Sequence, residues 1–161
     1  MDLNFLAILI AAVVPILIRY VWYNPKTFGI IWMREAEMTE AKMKKGNLVM
    51  IFILSFVFSL LLSMIVMALS VHQTGALGLV GGQETSETLP SFAAFMSDYG
   101  NAFRTYKHGA FHGTMAGLFF AFPIIAINGM FERKSWKYIF INAGYWTVSL
   151  AIMGAIICGW K

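Results

Sequence analysis

The sequence predicts an all-α protein: a membrane-embedded bundle of four transmembrane helices, with an amphipathic helix in the outer loop before helix three. Three observations predict it. Of 161 residues, 59% are hydrophobic and only 12% are charged, against roughly 45–50% apolar content in soluble domains, and the mean hydropathy is +0.70. The charges are also segregated. All eight acidic residues lie at the N-terminus or between apolar stretches, and among the basic ones only Arg19 enters a stretch, apart from Lys137 at the very edge of the last; a charge at the bilayer centre costs about 3 kcal/mol or more. Lastly, four stretches reach the length, about 20 residues at 1.5 Å per residue, that a helix needs to cross hydrocarbon.

These stretches cover residues 3–23, 48–71, 111–130 and 136–159, so the chain, 1–161, reads as a single transmembrane domain. The first is expected to persist as a helix, because Met1-Asp2-Leu3-Asn4 has no basic n-region and Trp22-Tyr23-Asn24-Pro25 is no small-residue cleavage site. The connection over residues 24–47 opens with a Pro25 turn, runs through apolar Phe28, Ile30, Ile31, Trp32 and Met33, then turns charged from Arg34 to Lys45. That order suits a segment lying along an interface. Thr39 is placed to cap a short helix ending near Gly46, with Lys42, Lys44 and Lys45 at its C-terminal end, favourable for the helix dipole.

Lys26, Arg34, Lys42, Lys44 and Lys45 occupy this loop, and Arg133, Lys134 and Lys137 flank the turn before the last span; the other side has Arg104, Lys107 and Lys161. By the positive-inside rule the first and third connections are cytoplasmic and both termini lie outside. Tyr20, Trp22, Tyr23, Trp32, Trp136, Tyr138, Tyr145 and Trp146 gather toward the same inner surface, where amphipathic rings favour the headgroup level.

The outer connection, residues 72–110, begins with a glycine-rich stretch from Gly75 to Gly82 that has little side chain to pack and is expected to be mobile. After Leu89-Pro90, Phe92, Phe95, Met96, Tyr99, Phe103 and Tyr106 recur at three- and four-residue steps, the spacing of one helical face. This predicts an amphipathic helix on the outer surface, or an extension of span three broken near Gly100. Packing against lipid and the other helices is the plain role for the stripe; a ligand-binding lid is the alternative.

Hydrocarbon offers no hydrophobic drive for helix association, so small residues at four-residue spacing mark close backbone approach. Span two has Ser55, Ser59 and Ser63; span three has Gly109, Gly113, Gly117 and Ala121; span four has Ala143, Thr147, Ala151, Ala155 and Gly159. They serve either the four-helix packing or an interface with a second copy, and their surplus leads us to expect a homo-oligomer. Pro15 and Pro123 fall near mid-span and are expected to bend their helices.

Two constellations carry candidate chemistry. Arg19, Asn128 and Asn142 all fall about a turn and a half inside the cytoplasmic boundary and are expected to form one polar layer, either by snorkelling and carbonyl capping or as an anion site. On the opposite side His108 and His112 are four apart and share a helix face. Such a pair can ligate a metal or haem. A closed zinc site takes four ligands, so His72, Asp98 or a second subunit would have to complete it; interfacial hydrogen bonding is the plainer role.

Other chemistry is disfavoured. Lysines and arginines flank the spans and form no stripe with exposed aromatics, which argues against nucleic acid. There is no nucleophile beside a histidine in a recognisable motif, no phosphate-binding glycine loop and no intramembrane carboxylate, so neither enzymatic activity nor a resident cofactor is expected. The lone Cys158, near the end of the last stretch, reads as a buried, inert thiol.

Trp22-Tyr23-Asn24-Pro25 followed by Phe28-Gly29 and Trp32-Met33 resembles the opening of a bacterial membrane family catalogued as domain of unknown function 1761. Phe131-Glu132-Arg133-Lys134-Ser135-Trp136, then Ile141-Asn142-Ala143-Gly144-Tyr145 and Met153-Gly154-Ala155, resembles its closing helix. The resemblance implies a small four-span protein of a bacterial inner (cytoplasmic) membrane and assigns no catalytic residue. At Arg19 the family more typically has a small residue, so the resemblance implies no general arginine site. The leading expectation is a non-enzymatic homo-oligomer or accessory subunit, with the lipid bilayer and another membrane protein as candidate partners. The alternatives are a small transporter or channel for ions or small solutes using Arg19, Asn128 and the serine stripe, and a metal- or haem-binding protein using His108 and His112.

Overall fold

A computed structural model describes residues 4–161, all in helices and their connections, with no strand among the described residues. Four helical spans are long and apolar enough to cross a membrane: α1 (Phe5–Trp22), α4 (Leu48–Ser70), a third over Tyr106–Phe131, and α9 (Trp136–Gly159). Residue 3, the expected start of the first span, lies outside the described residues. Only 17% to 44% of the most apolar window of each span is buried within the chain. The remainder, including Leu17, Phe58, Phe119 and Phe120, faces outward as hydrocarbon-facing surface.

Side-chain oxygens start all four spans. Asn4 Oδ1 accepts from Ala7 N at 3.0 Å, Asn47 Oδ1 from Met50 N at 3.1 Å, Thr105 Oγ1 from His108 N at 3.2 Å and Ser135 Oγ from Tyr138 N at 3.2 Å. Each satisfies a backbone donor that hydrocarbon would leave unpaired. The third span begins five residues before the apolar stretch that marks it, because the Thr105 cap launches a polar first turn. It is α7 (Tyr106–Ala116), a π-helical turn over Gly117–Ala121, and α8 (Phe122–Phe131). The wide turn sits directly before Pro123, whose missing N–H breaks the α-helical ladder there. Pro15, by contrast, lies inside an uninterrupted α1.

α9 is the centre of the bundle and packs against α1, α4, α7, the π turn and α8. The glycine stripe of the third span is spent on this contact. A Cβ on Gly109 would strike the Gly154 carbonyl and lie 2.6 Å from Cys158 Cβ; one on Gly113 would overlap the Leu150 carbonyl and lie 2.7 Å from Ala151 Cα; one on Gly117 would lie 2.5 Å from Thr147 Cα. Ser59 and Ser63 are buried and Ser55 half-buried, while Ala151 and Ala155 are half-buried along α9. Ser63 Oγ donates to its own helix, to Ser59 O at 2.9 Å. The residues that suggest a second copy thus largely serve packing inside one chain. Ala11, Val14, Val66, Leu150, Met153 and Ile157 fill the core between α1, α4 and α9.

On the face away from the termini, α2 (Gly29–Glu35) and α3 (Glu40–Lys44) form the first connection, with Thr39 capping α3. Gly29 is required there, since a Cβ would collide with the Tyr23 and Asn24 carbonyls as the chain doubles back. Glu35 Oε2 accepts from Ser135 Oγ at 2.6 Å and so ties α2 to the cap of α9, with Arg34 bonded to its other oxygen. The Ser135 hydrogen bond, helped by Arg34, holds the Glu35 carboxyl below the usual carboxylate range. A folded pKa below the unfolded one adds stability that is complete above the ordinary carboxylate value, about 4.3, and is lost as pH falls through the lowered one. Glu35→Gln is therefore expected to melt below wild type at neutral pH and to converge with it in acid. Thermal melts in detergent across pH check this, and equal midpoints at pH 7 would refute the tie.

On the terminal face, α5 (Gln73–Leu79) and α6 (Pro90–Tyr99) form the connection between α4 and α7. The glycine-rich stretch from Gly75 to Gly82 is helical as far as Leu79. Gly81 (φ 82°) and Gly82 (φ 92°) take left-handed conformations that let Gly82 N bond Leu77 O and Gly81 N bond Gly78 O, closing α5. The aromatic stripe is divided: α6 ends at Gly100, and Phe103 and Tyr106 belong to the link and to α7.

Candidate metal centre

The ends of α4 and α9 and the link between α6 and α7 meet on the terminal face, and side chains knot them together. Cys158 Sγ near the end of α9 donates to Ser70 O at 3.2 Å and Phe103 O at 3.4 Å, joining α9 to the end of α4 and to the α6–α7 link. Arg104, 7% exposed, donates from Nε to Cys158 O at 3.0 Å and so supplies a cation and a donor to the C-terminal end of α9. Gln73, 5% exposed, donates from Nε2 to Tyr99 O and Ala102 O, each at 2.9 Å. This frame fixes His72, which follows the Val71 cap of α4, against the first turns of α7.

α7 presents two adjacent faces. Gly109 and Gly113 face α9, and His108 and His112, one residue earlier in each turn, face the end of α4. His72 is there to meet them. His72 Nε2 and His108 Nε2 are 2.9 Å apart, and the ring centroids are 5.0 Å (His72 to His108), 4.9 Å (His72 to His112) and 4.5 Å (His108 to His112) apart. One potential ligand atom from each lies within 4.8 Å of the other two. The Phe103 ring, on a residue with φ 60°, stacks on His108 at 5.2 Å and meets His72 edge-on at 6.5 Å. His72 is exposed and the other two are half-buried. Asp98, considered above as a ligand, is exposed on α6 and outside the cluster.

Nitrogens around one ion at the usual bond length of about 2.0–2.1 Å sit roughly 3.3 Å apart in tetrahedral geometry. Three such atoms within 4.8 Å of one another lie close to that spacing.

A family model described as a protein of unknown function, DUF1761, matches residues 6–158, which include all three histidines. The chain belongs to that family. No curated protein and no solved structure matches it.

In this DUF1761 protein the second constellation is divided. The Arg19 guanidinium lies 4.9 Å from the Tyr23 ring centroid, Tyr23 Oη donates to Asn142 Oδ1 at 2.8 Å, and Asn142 Nδ2 donates to Tyr138 O at 2.7 Å. Arg19 and Asn142 are thus linked through Tyr23, with Tyr145 donating to Pro15 O at 2.9 Å beside them. Asn128 does not join. It is exposed on the outward side of α8 and makes no side-chain hydrogen bond among the described residues. Depth along a span follows from residue counting, but the direction a side chain faces follows from which neighbour its helix meets. Sequence reasoning also passes over Gln73, Arg104 and Tyr23; for Tyr23 its four-residue spacing from Arg19 is a usable signal, and for the other two there is none.

Proposed function

We propose that this membrane protein binds a divalent transition-metal ion through His72, His108 and His112. The observation that carries the reading is convergence: all three histidines of a 161-residue chain, with His72 and His108 36 positions apart, place their ligand atoms within 4.8 Å of one another. Pairwise hydrogen bonding gives no role to the third ring. Imidazole suits zinc, copper, iron and nickel, whereas magnesium and calcium require oxygen donors absent from the cluster. The lysine and arginine bias supports placing the centre on the outer side of a bacterial cytoplasmic membrane. The role proposed is to hold the ion, without catalysis.

The test is a titration of chelator-stripped protein in mild detergent with Zn²⁺ or Co²⁺. One ion per chain is expected, and none for the triple variant H72A/H108A/H112A with its helix content intact. Absence of stoichiometric binding by folded wild type would overturn the reading.

A further inference from the structure

Resting on that metal reading, we infer that the centre keeps a fourth coordination position open to a small exogenous anion, with water holding it otherwise. The protein supplies three ligands and commits the neighbouring thiol elsewhere. Cys158 Sγ is buried and turned to the Ser70 and Phe103 carbonyls. Gln73 spends both amide hydrogens on the Tyr99 and Ala102 carbonyls, and its Oε1 is buried with no hydrogen-bond partner among the described residues. No aspartate or glutamate belongs to the cluster among the described residues. A tetrahedral ion held by three protein ligands completes its shell from solvent, the arrangement that separates exchangeable sites from closed structural ones.

Charge selects the class of ligand. Three neutral imidazoles leave the full dipositive charge of the ion uncompensated, and the nearby chain adds Arg104 and Lys107. The ion pairs found among the described residues, Arg34–Glu35 and Lys134–Glu37, both lie on the opposite face, so Arg104 and Lys107 have no carboxylate partner within 4.0 Å there. A net cationic centre in partly apolar surroundings favours an anion over a second neutral ligand. Access runs past His72, which is exposed and borders a groove of about 230 Å³ with Gln73, Ala76, Phe95, Tyr99 and Phe103. That size admits a small inorganic anion.

The experiment uses the 161-residue wild-type chain loaded with Co²⁺ in detergent and titrated with thiocyanate. The visible ligand-field bands are expected to shift and to saturate at one anion per cobalt. Bands that stay unchanged at high thiocyanate, with cobalt still bound, would overturn the open position and leave metal binding standing. Stripping of the cobalt by thiocyanate would also overturn it. Failure of wild type to show any protein-bound cobalt spectrum would instead remove the metal reading beneath it.

Discussion

His112→Ala is expected to weaken Zn²⁺ or Co²⁺ binding by about two orders of magnitude, and His72→Ala and His108→Ala by similar factors. Structural zinc sites contribute roughly 10–16 kcal/mol over four ligands, so one ligand is worth about 3 kcal/mol, and each 1.4 kcal/mol is tenfold in affinity. His72 is the most informative of the three. It is exposed, and the rings it meets are those of the other two histidines and Phe103, so removing it costs little packing, and lost binding is not lost fold. Asp98→Ala should leave affinity unchanged, because Asp98 lies outside the cluster. Competition against a chromophoric chelator measures all four variants on one scale. Equal affinities for wild type and His72→Ala would mean that the trio does not act as a unit.

The architecture is legible because hydrocarbon demands runs of apolar residues whose length geometry fixes, and those runs need no knowledge of what they touch. The last span matches its expected limits, 136–159, since Ser135 caps it and the run ends with the helix at Gly159. The third span is less legible, because its first turns carry Lys107, His108 and His112, residues an apolarity criterion rejects. Short-range spacing likewise places His108 and His112 on one face. His72 is only one of three candidate completions in the sequence, because its approach depends on how α4 and α7 dock around α9. Arg104 reads as an ordinary surface cation; what buries it is the Cys158 carbonyl at the end of another helix. α5 escapes sequence reasoning because glycine content speaks against a helix until the left-handed closure at Gly81 and Gly82 is known.

Gly113→Ala is expected to destabilise the bundle by about 1–3 kcal/mol, the usual cost of forcing a methyl into a packed interior, and Gly113→Leu to prevent folding. The added Cβ would meet backbone, the Leu150 carbonyl and Ala151 Cα, which no side-chain rotation can move aside. Gly75→Ala on α5 is the matched control, since nothing lies within 4 Å of its Cβ position; removing a helical glycine there should be neutral or stabilising by up to about 1 kcal/mol. Equilibrium unfolding in mixed micelles, followed by tryptophan fluorescence, compares the two. The consequence reaches the metal centre, because Gly113 and His112 are consecutive: a methyl that pushes α7 off α9 also carries His108 and His112 relative to His72. Gly113→Ala should therefore lose metal affinity as well as stability, whereas Gly75→Ala keeps both. Indistinguishable unfolding midpoints for the two alanine variants would show that the glycine face does not set the spacing between α7 and α9, and the placement of two ligands would lose its physical cause.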